Sequence, residues 1–132
     1  MSIRPEIRYF IPCWKAPALS GNGPSVHEIV YAMRAKEGHS YPLWQQPMFV
    51  FVAITNLHGS CRFHLELRLE ELEQETVIAT TGEFEFESGN DPLHVFPLSI
   101  MMKAVTLPQP GVYQLYMVSQ GEELAKATIH AR

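Results

Sequence analysis

His64 and Glu66 stand two residues apart in the run Cys61-Arg62-Phe63-His64-Leu65-Glu66-Leu67-Arg68-Leu69. A period of two puts both on one face of a strand. Such a pair can share a metal, the imidazole giving a nitrogen and the carboxylate an oxygen. The chain has six histidines: His27, His39, His58, His64, His94 and His130. None falls in an HExxH, HxH or Cys/His knuckle spacing. Two ligands do not make a site, so no metal and no cofactor are expected. The pair reads instead as the polar outer face of a sheet.

A nucleophile is no better supported. Cys13 and Cys61 would each need a neighbouring base and a lowered pKa. Alternation puts Cys61 on the apolar side of its strand, which predicts an inert thiol. Two strands could bring the cysteines within bridging distance, but buried free thiols are the expected state. There is no GxSxG elbow. The acidic run Glu70–Glu75 reads as a solvated hairpin turn, which leaves its carboxylates without a reason to shift. Gly21-Asn22-Gly23 opens onto Pro24, which has no amide to offer a phosphate. No catalytic residue is expected.

Aromatic side chains are the remaining handle. Tyr31, Tyr41, Trp44, Phe49 and Phe51 crowd the first half of the chain. Trp44 lies in a loop flanked by Pro42 and Pro47. With Tyr41 and His39 beside it, it could anchor a partner or stack on a sugar ring. The expected role is plainer: a large aromatic plugging one open end of the fold.

The elements that must hold these groups are strands. Ile7–Trp14 is β-rich, and Pro12 marks it as an edge or a bulge. Val26–Arg34 fits a helical stripe or a strand, and a strand is expected from its β-rich neighbours. Met48–Asn56 is a near-continuous apolar run, which predicts a central strand covered on both sides. With the alternating strand after Gly59 it should form an antiparallel hairpin. Thr76–Thr81 and Gly82–Glu87 follow, bent at Gly82, and Pro97 should split His94–Val105 in two. Val112–Val118 and Glu123–His130 complete the pattern. The spacing predicts an all-β fold, an antiparallel β-sandwich of about eight strands, with one short helix near residues 26–35 as the alternative.

At 132 residues, residues 1–132 form one domain on expectation, long enough to hold a core without a metal or disulfide. Net charge is −4, and the ten basic residues form no cluster, which argues against nucleic acid and against an anionic membrane. The longest apolar run, Met48–Ile54, is too short to span a bilayer. No signal-like apolar segment opens the sequence, so a cytoplasmic location is expected.

The run Leu107-Pro108-Gln109-Pro110-Gly111-Val112-Tyr113, followed by an alternating strand, a turn at Gly121 and a final strand, resembles a recurrent ending of bacterial β-sandwich domains. The upstream order of Tyr41-Pro42-Leu43, Phe49–Val52 and Asn56–Gly59 is similar. Over nearly its whole length the chain resembles a family of small bacterial immunoglobulin-like domains of unknown function. The resemblance implies an immunoglobulin-like sandwich and supplies no catalytic residues. The function expected is a non-catalytic protein-interaction or assembly module, acting through an edge strand or end loops on a protein partner or a second copy. The alternative is a small-ligand, carbohydrate or metal-binding domain. Tyr41, Trp44, Arg62, His64, Glu66 and Arg68 are the candidate interaction surface.

Overall fold

The computed structural model describes residues 4–19, 23–35, 40–87 and 91–132. They contain eleven strands: β1 (Glu6–Cys13), β2 (Ala32–Met33), β3 (Leu43–Trp44), β4 (Met48–Thr55), β5 (Ser60–Glu71), β6 (Gln74–Thr80), β7 (Phe84–Glu87), β8 (Phe96–Met102), β9 (Thr106–Leu107), β10 (Gly111–Ser119) and β11 (Glu122–Ala131). Three of the eleven have only two residues, which is why the expected eight is exceeded. No helix occurs among the described residues, and so none crosses a membrane.

The strands form a three-stranded sheet, β1-β4-β8, and a larger one, β2-β11-β10-β5-β6, in which β7 also pairs with β5. A small β3–β9 pair lies apart from both ladders. Pairing is antiparallel except between β2 and β11.

Alternation decides which side chains enter the core. Leu65, Leu67 and Leu69 of β5 lie in register with Met117, Leu115 and Tyr113 of β10. Met48, Val50, Val52 and Ile54 of β4 join them from the smaller sheet, with Ile100 and Met102 of β8. All belong to one buried cluster, an architecture consistent with a β-sandwich. Each fully buried Leu in it is worth roughly 1.5–3 kcal/mol over exposure. Gly111 opens β10 at φ 155°, and a Cβ there would sit 3.3 Å from Leu69 Cδ1. Gln120 and Gly121 turn β10 into β11 with φ of 51° and 79°. Cys61 is buried as the alternation requires, and both cysteines are free.

Four local expectations meet a different structure. The helical alternative at 26–35 does not form. That segment turns at Glu28 (φ 56°) and passes between the two sheets, with Val30 N–H donating to Pro12 O at 2.8 Å and Trp14 N–H to Glu28 O at 2.9 Å. On its other side His130 N–H donates to Tyr31 O at 3.0 Å and Arg132 N–H to Met33 O at 2.9 Å. An extended backbone satisfies polar groups of two neighbours at once, which a helix would not.

β4 and β5 make no hairpin. The sides of β4 are taken by β1 and β8, and those of β5 by β10 and by β6 with β7. The link between them crosses from one sheet to the other, and Leu57 in it is buried in the core rather than held out at a turn tip.

Pro97 does not split its strand, because β8 is an edge and pairs only with β4. A residue without an N–H is tolerated there. Trp44, finally, does not plug the fold: it is 71% exposed, while Leu43 beside it packs on the core.

Candidate functional site

Arg62, His64, Glu66 and Arg68 all leave the core face of β5, yet they do not share one environment. Arg62 is 63% exposed and meets Glu85 of β7 at 3.5 Å. Arg68 is only 16% exposed, because strands on both sides bring side chains over it. Its Nε donates to Glu66 Oε2 at 2.9 Å and its Nη1 to Glu123 Oε1 of β11 at 2.7 Å. Glu75 of β6 adds a third carboxylate at 3.5 Å. The guanidinium lies 4.1 Å above the Tyr116 ring of β10, a cation–π contact. Tyr116 in turn donates its hydroxyl to Glu75 at 2.9 Å.

His64 Nε2 sits 3.0 Å from Glu66 Oε1. That hydrogen bond, with Arg68 behind it, holds the Glu66 carboxyl below its ordinary range against the upward push of burial. Burial works against the charge of Arg68, but hydrogen bonds to Glu123 and Glu66 outweigh it and raise its pKa. Burial and Glu75 push the Tyr116 hydroxyl up to about 12. Gln114 extends the row, donating to Glu70 at 2.9 Å and accepting from Thr128 at 2.8 Å. Both Glu66 oxygens are therefore engaged, one of them by a cation. Among the described residues no three metal-ligating side chains gather anywhere.

The outer face of the smaller sheet is of another kind. The register places Tyr9, Ile11 and Cys13 of β1, Phe49, Phe51 and Ala53 of β4, and Pro97, Ser99 and Met101 of β8 on the side away from the core cluster. None of these nine is charged, while Glu6, in register with Thr55, and Arg8, at the bulge, are exposed charges at the start of β1. Cys13, Phe51 and Ala53 are buried there although they lie outside the main core. Tyr9 and Met101 flank them at 59% and 51% exposure. Burial pushes both the Cys13 and Cys61 thiols up, which disfavours the reactive thiolate.

A third region is a cleft of about 770 Å3 near β2 and β3. Trp14, Met33, Arg34, Trp44, Gln45 and Pro47 are among its walls. Tyr41 is not: its hydroxyl donates to Arg132 O at 2.8 Å, tying the loop to the end of β11. His39 lies outside the described residues. Gln45 is 4% exposed, and neither its Nε2 nor its Oε1 has a hydrogen-bond partner among the described residues.

The sequence thus pointed to Trp44 and to the His64–Arg68 row, but not to Gln45, Trp14 or the uncharged face. Alternate apolar residues at Tyr9, Ile11 and Cys13 and at Phe49, Phe51 and Ala53 were the available signal for that face. Comparison with protein-family models and with curated proteins finds no match.

Proposed function

We propose that this chain is a non-catalytic assembly domain, an immunoglobulin-like sandwich that pairs with a second copy through the outer face of β1-β4-β8. Strand order supports the topology. β11-β10-β5-β6 facing β1-β4-β8 follows the G-F-C-C′ and A-B-E order of such domains. Tyr113, near the start of β10, donates its hydroxyl to Gln109 O at 2.7 Å, the hydrogen bond expected of a tyrosine corner. Leu115, fully buried, stands two residues on, where antibody domains place a cysteine. Free buried thiols fit a reducing, cytoplasmic compartment.

The observation that carries the assembly reading is the set of uncharged outward positions on Tyr9–Cys13, Phe49–Ala53 and Pro97–Met101, with Tyr9 and Met101 exposed among them. A second copy is the occupant for an electrostatic reason. The chain carries −4, so two copies repel weakly overall. A two-fold axis sets residue i against j and j against i, so a residue near the axis meets its own image, and a carboxylate there would face a carboxylate. Between Tyr9 and Cys13, Phe49 and Ala53, and Pro97 and Met101 the outward positions have none, Glu6 lying at the far end of β1 beside Thr55, and apolar sheet faces pack on one another at about 10 Å.

Light scattering coupled to size exclusion tests the reading. The wild-type chain should run as a dimer, and Met101→Glu and Tyr9→Glu should run as folded monomers. A wild-type chain that stays monomeric at the highest concentration reached overturns it, as does a Met101→Glu protein that still dimerises.

A further inference from the structure

The larger sheet, away from the pairing face, ends in an edge that no strand covers among the described residues. β6 and β7 pair only with β5, and Thr81 continues the ladder between them, its N–H donating to Leu65 O at 2.9 Å. The other edges are short or blocked: β2 has two residues, β8 carries Pro97, and the 28–30 segment lies along the end of β1. The run 76–81 has no charge, no proline and no glycine, and five of its six residues are β-branched. Val77 within it is 51% exposed. A bulge at Ile78 bends the run, but β1–β4 and β10–β11 pair across bulges in this same fold. Such an edge is a template for one more strand.

Side chains along this edge define the strand that fits. Phe84 belongs to the core side, in register with buried Phe63 and 5.7 Å from it ring to ring, yet it is 36% exposed. It lines a cleft of about 300 Å3 with Ala79 of β6, Met102 of β8, Val105 and the exposed Lys103. Alternate side chains of an added strand enter that cleft, which takes apolar residues and, through Lys103, rejects basic ones at the strand's centre. Exposed carboxylates bracket the run, Glu71, Glu73 and Glu75 before it and Glu83, Glu85 and Glu87 after it. Residues 66–87 hold eight of the chain's fourteen acidic residues and one of its ten basic ones. A second copy is therefore the wrong partner: antiparallel pairing of this edge with its own image sets leading carboxylates against trailing ones at both ends. We propose that the β6–β7 edge binds an extended protein segment as an added strand, apolar or β-branched at its centre and basic at both ends. Main-chain hydrogen bonds hold it, the cleft takes its apolar side chains, and the bracketing glutamates select its ends.

The test titrates the full chain against a fluorescein-labelled peptide, Lys-Lys-Thr-Val-Thr-Val-Thr-Val-Lys-Lys, followed by anisotropy. It should bind saturably, and more weakly as salt rises. A strand turns alternate amides to opposite sides, so methylating one alternate set of peptide nitrogens should abolish binding and methylating the other set should spare it. Glu73→Lys combined with Glu83→Lys, both at exposed positions, should weaken binding about tenfold at low salt. The unfolding midpoint of that variant should stay near wild type, as expected of surface substitutions. No binding up to about 1 mM overturns the proposal. So does binding that both methylated peptides keep or both lose, or binding that the double variant leaves unchanged. An equal or stronger response to a peptide copying residues 73–83 puts a second copy at this edge and overturns it too.

Discussion

On the larger sheet, the outward positions Glu66 and Arg68 are met by Glu75, Glu123, Tyr116 and His64, so that every charge there is answered by a neighbour. On the smaller sheet, the outward positions of β4 hold Phe49, Phe51 and Ala53, flanked by exposed Tyr9 and Met101. Both faces lie over one core, yet they stand differently toward a partner. The charged row is closed on itself: docking against it means breaking hydrogen bonds that are already made. On the apolar face Cys13, Phe51 and Ala53 are already buried, and the apolar surface left to gain lies at Tyr9 and Met101. A count of charged residues would have pointed the other way, toward Arg62–Arg68 as the binding surface. Polar side chains on a sheet are not free merely because they point outward.

Substitutions can break this contrast, and the largest effect is expected on the apolar face. Met101→Glu puts a carboxylate into the proposed apolar interface, and leaving such a charge unpaired there costs about 3–5 kcal/mol. That is enough to turn a dimer into a monomer by light scattering. The fold should be nearly untouched, within about 0.5 kcal/mol by urea unfolding, because the side chain is half exposed. The reverse pattern is expected for Arg68→Ala. It strands Glu66 and Glu123 and should lower stability by about 1.5–3 kcal/mol in urea, with the dimer retained.

Acid sharpens the contrast next. Glu66 is held below its ordinary pKa in the folded state, so the stability it contributes is full above the unfolded carboxylate value. It is lost as pH falls from about 4.3 through the folded value. Glu66→Gln should flatten that limb of the unfolding midpoint against pH. At the alkaline end Tyr116 has a raised pKa, so its contribution holds below about 10 and fades as pH rises through about 12. Tyr116→Phe should remove that limb. The smallest effect belongs to a bond that serves both faces by holding the core: Tyr113→Phe gives up the hydrogen bond to Gln109 O for about 0.5–1.5 kcal/mol, with association unchanged.

What the sequence made legible was whatever rested on a period of two and on turn chemistry. Cys61, Phe63, Leu65, Leu67 and Leu69 enter the core as read, β4 is central and covered on both sides, and Leu72-Glu73 turns β5 into β6. What stayed illegible was whatever depended on which strands meet. Adjacent strands usually pair, so β4 and β5 read as a hairpin, although their neighbours β1, β8 and β10 had already filled the ladders. The same blindness hid the candidate sites. Nothing local says that Glu123, fifty-five residues on, will cover Arg68. Gln45 looks like any loop glutamine until the fold buries it. Trp44, singled out for its type, was wrongly expected to fill the end, because Leu43 one residue earlier takes the inward position of β3.

The last strand completes structures begun by the first residues. β11 holds β10 along its length and β2 at its end, Arg4 reaches Glu123 O at 2.7 Å, and Tyr41 reaches Arg132 O. On the ribosome, then, β1 and β2 are made long before their neighbour exists. Until β11 emerges, the strand edges of β10 and β2 stay open to wrong pairings. The larger sheet closes only when β11 joins β10 and β2.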